Sequence, residues 1–234
     1  MRTSRTTCHD ECVRRLYRVL CYGLFLGVFA YGVAFVGDWE LVPKTIDRGG
    51  SSDLAILIDL AVMLVFAIQH SGMARRAFKV HVPAAIERST YVLASSLCLM
   101  LVFWAWRPLP HVVWSFDSRV LDLVALVGWA WAVVATFLIN HFELFGLAPM
   151  RGETSFRTPL LYKLVRHPIY VGFIVAFTAT STMTYGHLLF AGVMLAYVLV
   201  GYRLEERDLV RALGADYETY RGRVNALVPL PRRR

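Results

Sequence analysis

Long apolar runs separated by short polar segments set the pattern of this chain. Apolar positions dominate from Leu16 to Val36, from Leu54 to Ile68, from Tyr91 to Trp106 and from Val120 to Asn140. A further apolar stretch lies between Arg166 and Glu205, with Tyr185-Gly186 in its middle, and reads as a helical hairpin. Runs of this kind approach the roughly 20 residues that cross a bilayer as a helix. The pattern predicts an all-α, polytopic membrane helix bundle of five to six transmembrane helices, the last two forming the hairpin. The hairpin arms are short for full spans, so tilt or partial penetration is expected of them. The third span is predicted to stop at Arg107-Pro108, because proline breaks a helix.

Composition agrees with that pattern. The apolar share is 57% and the mean hydropathy +0.50, above an ordinary soluble domain. At 234 residues the chain reads as a single integral-membrane domain over 1–234, without room for a separate soluble module. The net charge of +8 does not point to nucleic acid, because the basic residues sit between apolar runs and report topology instead. Loops holding Arg75, Arg76, Lys79 and Arg88, and Arg151, Arg157, Lys163 and Arg166, alternate with loops poor in Lys and Arg. The positive-inside rule then puts both termini in the cytoplasm. The first apolar run is long and lacks a small-residue cleavage site, so no cleavable signal peptide is expected. Cys8, His9 and Cys12 are either a metal-binding group or an incidental reduced pair, the second being the commoner case.

Polar residues gather at one predicted end of the spans. Arg166-His167-Pro168-Ile169-Tyr170 precedes the hairpin and Glu205-Glu206-Arg207-Asp208-Leu209 follows it, so the hairpin brings the two clusters face to face. Gln69-His70-Ser71, Glu87-Arg88-Ser89-Thr90-Tyr91 and Asn140-His141-Phe142-Glu143 fall at the same predicted side. Charges at the mouth of an apolar bundle need partners or a polar ligand. Each residue alone reads equally as an interfacial anchor, and Arg166 and Glu206 as a pair across the mouth. Asp59, inside the second span, is either a functional carboxylate or close enough to the outer interface to reach water.

The hairpin motifs, followed by Gly214, Tyr217, Tyr220 and Val228-Pro229, resemble the isoprenylcysteine carboxyl methyltransferase superfamily of membrane enzymes. The front half, with Gln69-His70-Ser71-Gly72-Met73-Ala74-Arg75, Glu87 to Leu93, Phe103 to Pro108 and Asn140 to Leu147, resembles the bacterial methanethiol S-methyltransferases. The resemblance implies methyl transfer from S-adenosylmethionine to methanethiol, giving dimethyl sulfide, in a bacterial inner membrane. It implies that residues 166–234 hold the cofactor and 16–165 form the substrate side. Arg166 would then pair with the donor's carboxylate, and Glu205 or Glu206 with its ribose hydroxyls or ammonium. His167 and Tyr170 would border it. A thiol acceptor must lose its proton. His70 and His141 are the candidate bases, with Gln69 and Ser71 placed to orient His70 and Tyr91 as a hydrogen-bond partner. Phe103, Trp104 and Trp106 either line an apolar thiol pocket or belong to an interfacial belt. Sterol-reductase-type membrane enzymes share the tail pattern, so an NADPH-dependent reductase stays open. So does a haem-binding subunit held by His70 and His141.

Overall fold

The computed structural model of the protein describes residues 2–116, 118–149 and 156–230, leaving aside the side chains of 2–8, 76 and 77. The chain runs α1 (Arg2–Val36), α2 (Ala55–Met73), α3 (Arg76–Lys79), α4 (Glu87–Ala105), β1 (Val112–Ser115), α5 (Arg119–Ile139) and α6 (His141–Leu144). A 3₁₀ turn follows at Leu160–Lys163, then α7 (Pro168–Thr178), β2 (Thr182–Thr184), α8 (Tyr185–Leu213) and α9 (Ala215–Arg223). Among the described residues, five helices are long and apolar enough to cross a membrane: His9–Val36 of α1, then α2, α4, α5 and α8. Their outward residues, such as Leu57, Ile68, Leu123, Val127 and Val200, are exposed apolar side chains, as lipid-facing positions must be. The protein is an all-α polytopic integral membrane protein.

Two compact units form. The first joins the chain up to Pro108 with Asn140–Gly152; the second joins Leu109–Ile139 with the chain from Glu153 onward. In the first, Tyr17 bonds Thr90 at 3.0 Å while Tyr31 stacks on Phe103, so α1 and α4 run side by side in the same direction. Helix α2 runs against them, with His70 level with Tyr91 and Asp59 level with Arg107. Helix α4 ends at Ala105, one residue short of the expected span end at Trp106. Lys44 closes this end: its ammonium donates to the carbonyls of Trp104 and Trp106, which a helix C-terminus leaves free. Burial and the nearby Arg107 lower the Lys44 pKa.

Asp59 is fully buried, and its Oδ1 accepts the Arg107 backbone N–H at 2.8 Å. Protein rather than outer water satisfies that oxygen. Phe103 packs against Tyr31 and Phe35, and Trp106 is buried with its indole donating to the Ile46 carbonyl at 2.9 Å. Trp104 is 73% exposed. The three rings therefore line no common pocket. They also sit about 20 Å along α4 from Tyr91, 13 residues at 1.5 Å each.

In the second unit α5 and α7 are pressed together through small residues. A Cβ at Gly172 would stand 2.6 Å from the Ala132 nitrogen, and one at Gly128 2.6 Å from that of Ala176. Gly128/Ala132 on α5 and Gly172/Ala176 on α7 are thus the small-x-x-x-small pattern that lets membrane helices touch backbone to backbone. Gly172→Ala is expected to cost about 1–3 kcal/mol, read as a lower midpoint of thermal unfolding in detergent. An unchanged midpoint would mean the helices part without penalty.

Helix α7 is short, as expected of a hairpin arm, but α8 runs 29 residues. Tyr185-Gly186 opens α8 instead of forming the turn. Thr184 caps it by accepting the His187 N–H at 3.0 Å, and residues 179–184 make the reversal, with β2 antiparallel to β1. His187 bonds the Phe177 carbonyl at 2.9 Å and so holds the end of α7.

Candidate active site

The mouth of the hairpin is built by three segments of the second unit. Pro168 starts α7, its fixed φ suiting the first helical position, and this leaves Arg166 and His167 just ahead of the helix. The tail returns alongside: Arg166 N–H bonds the Asn225 carbonyl at 2.9 Å and His167 N–H that of Ala226 at 3.1 Å. From α8, Glu206 points into the same place. Its Oε1 accepts from Arg166 Nε at 2.7 Å and Nη2 at 2.6 Å, and lies 3.0 Å from His167 Nε2. Arg166 also donates to the carbonyls of Arg221 and Val224. All three side chains are buried.

Tyr170 stacks on His167 with ring centroids 5.4 Å apart and donates to Glu205 Oε2 at 2.8 Å. Glu205, half exposed, lies 3.7 Å from His167 Nδ1. The five residues singled out in sequence thus meet in one network, and the pair across the mouth is real. Tyr217 completes the floor: burial first, then the charge of Glu206, pushes its pKa up to about 12. Burial likewise raises Tyr162 and Tyr220, whose hydroxyl donates to the Tyr162 carbonyl. These phenols stay neutral.

Beside the network an open cleft of about 600 Å³ is lined by Arg166, Glu206, Tyr202, Arg203, Asn225 and Val228 among others. That is the size range of small-molecule sites. It offers two cations, a carboxylate, an amide and an aromatic face, a donor set suited to a zwitterion with a sugar and a base. Tyr202, Arg203 and Asn225 were not singled out in sequence. Tyr202 and Arg203 stand one turn ahead of Glu206 on α8, whereas Asn225 joins the site only because the tail folds back.

The first unit holds a second polar cluster. His70, in the last turn of α2, is gripped by two hydroxyls of α4: Nδ1 lies 3.0 Å from Ser95 Oγ and Nε2 2.7 Å from Tyr91 Oη. Ser95, four residues beyond Tyr91, is the orienting group that the sequence reading missed; Gln69 acts at one remove, reaching Ser95 at 3.4 Å. Arg88 lies over the Tyr91 ring, 4.9 Å from its centroid, and donates to the Leu144 carbonyl.

His141 belongs to a separate pair. Its Nε2 is 2.7 Å from the hydroxyl of Tyr22, with Phe145 and Phe142 around it. Burial lowers its pKa. The segment carrying it is pinned on α4 where Ser89 Oγ donates to the Gly146 carbonyl at 2.7 Å. Gly146 has φ +75°, and a Cβ there would meet the Ser89 nitrogen at 2.6 Å. Cys12 is exposed, while the Cys8 side chain and Arg151 lie outside the described residues.

An all-helical membrane bundle carrying a buried Arg–Glu–His network beside an open polar cleft defines an integral membrane protein with a cleft of small-molecule size. Three relatives narrow that class. The chain is 50% identical to methanethiol S-methyltransferase 2 of Bradyrhizobium diazoefficiens over 231 residues, 92% of this chain and 89% of that one. It is 47% identical to methanethiol S-methyltransferase 1 of the same organism, covering 92% and 81%. It is 49% identical to the methanethiol S-methyltransferase of Pseudomonas deceptionensis, covering 93% and 90%. The chain belongs to the methanethiol S-methyltransferase family. No family model and no solved structure matches it.

Proposed function

We propose that the protein transfers a methyl group from S-adenosylmethionine to methanethiol, releasing dimethyl sulfide and S-adenosylhomocysteine. The observation that carries this reading is near-half identity, over nine-tenths of the chain, to relatives named for that reaction. The donor supplies a methyl on a sulfonium sulfur, which needs no metal. Within the second unit, Arg166 and Arg203 would face its carboxylate, and Glu206 or the half-exposed Glu205 its ammonium or ribose hydroxyls. His167 and Tyr170 hold the two glutamates in place. Within the first unit, the His70–Tyr91 pair takes the thiol proton, since the thiolate is the nucleophile. His141, paired to Tyr22, is the second candidate.

Calorimetry separates this from the reductase reading: S-adenosylhomocysteine is expected to bind the purified protein and NADPH not. Binding of NADPH alone would reverse the assignment.

The membrane is expected to be the bacterial inner membrane, with both termini cytoplasmic. The basic loops around Lys79 and Arg157 then face the cytoplasm and Gly50 the other side. A reporter fused at Gly50 should read outside and reporters at Lys79 and Arg157 inside. A cytoplasmic Gly50 signal would overturn the orientation.

A further inference from the structure

Resting on the methyltransferase reading, we infer that the Tyr91 hydroxyl, rather than an imidazole nitrogen of His70, is the group that meets the acceptor thiol, with His70 behind it as the proton store. Both His70 nitrogens are already engaged, by Tyr91 at 2.7 Å and Ser95 at 3.0 Å. An imidazole so held takes a proton through one of its hydroxyl partners. Ser95 is buried on the side of Gln69, whereas Tyr91 is only partly buried.

Transfer runs toward His70 in one of the two imidazole tautomers. With Ser95 accepting from Nδ1–H, Nε2 carries the lone pair that faces the Tyr91 O–H. The imidazole tilted against the Tyr91 ring, with centroids 4.9 Å apart, and the Arg88 guanidinium over that ring hold the hydroxyl in place. A cation there favours negative charge developing on the phenol oxygen as it releases its proton. Arg88 is itself anchored through the Leu144 carbonyl, and so is a positioning residue, as is Ser95.

The thiol S–H bond breaks and its proton passes to the Tyr91 oxygen, while the Tyr91 O–H proton passes to His70 Nε2. The sulfur keeps the electron pair and uses it to bond the methyl carbon; the pair of the broken carbon–sulfonium bond stays on the donor's sulfur. Imidazolium at His70 then returns its proton to solvent, so that turnover releases one proton.

The test uses the full-length enzyme in lipid nanodiscs and two acceptors. Methanethiol is mostly protonated near neutral pH, whereas hydrosulfide is smaller and already largely ionised. Wild type is first shown to methylate methanethiol; no turnover there would end the methyltransferase reading itself, apart from this inference. Tyr91→Phe is expected to lower kcat on methanethiol at least 100-fold and on hydrosulfide less than 10-fold. Calorimetric affinity for S-adenosylhomocysteine should stay within twofold. His70→Gln should show the same split between acceptors and serves if Tyr91→Phe does not fold. Turnover of Tyr91→Phe within threefold of wild type on methanethiol would overturn the inference. So would an equal loss on both acceptors in either variant.

Discussion

Glu206→Ala is expected to abolish measurable S-adenosylmethionine binding. Glu206 Oε1 is the acceptor shared by Arg166 and His167, and the Arg166 side chain is only 4% exposed. Removing the carboxylate leaves a buried guanidinium without its counter-charge, a change that costs about 3–5 kcal/mol. At about 1.4 kcal/mol per tenfold, the donor's dissociation constant should rise by 100-fold or more even if the segment only loosens. Glu206→Gln keeps an oxygen acceptor and is expected to lose less. Thiol affinity should change far less than donor affinity. Calorimetry with S-adenosylhomocysteine reads the effect, and unchanged affinity in both Glu206→Ala and Arg166→Ala would place the donor elsewhere.

Turnover should collapse in His70→Ala with donor affinity retained. A positioned base contributes about 10²–10⁴-fold, and His70 Nε2 lies 2.7 Å from the Tyr91 hydroxyl. The loss has a signature in pH. A thiol with a pKa near ~8.5 or above gains about tenfold in thiolate for each pH unit below that value. The variant should therefore recover part of its activity as pH rises, more steeply than wild type. Activity near wild type across the range would remove His70 from proton transfer and leave His141 to be tested in the same way.

The spans were readable because a membrane helix needs little besides an unbroken apolar run. The five hairpin-mouth residues were readable for a related reason: one apolar hairpin must return its two polar flanks to the same side. The remainder depended on contacts distant in sequence. Tyr22 reaches His141 across 119 positions, and nothing near either residue signals the other. Ser95 looked like one more small residue in a span until α2 was laid against α4.

The aromatic trio, open in sequence between a pocket and an interfacial belt, separates because adjacency in sequence is not adjacency on a helix. At 3.6 residues per turn, Phe103 and Trp104 point about 100° apart. One joins the core, while the other is turned outward. The hairpin reversal was misplaced because Tyr185-Gly186 resembles a turn. Thr184 and His187 instead make it a capped helix start.

Methyl transfer to a small thiol is read from product formation by the purified protein. Supplied with S-adenosylmethionine deuterated on the methyl and with methanethiol, it should release dimethyl sulfide carrying one CD3 group, in equal amount to S-adenosylhomocysteine. Absence of labelled dimethyl sulfide from a folded sample that binds S-adenosylhomocysteine would rule out methyl transfer to methanethiol.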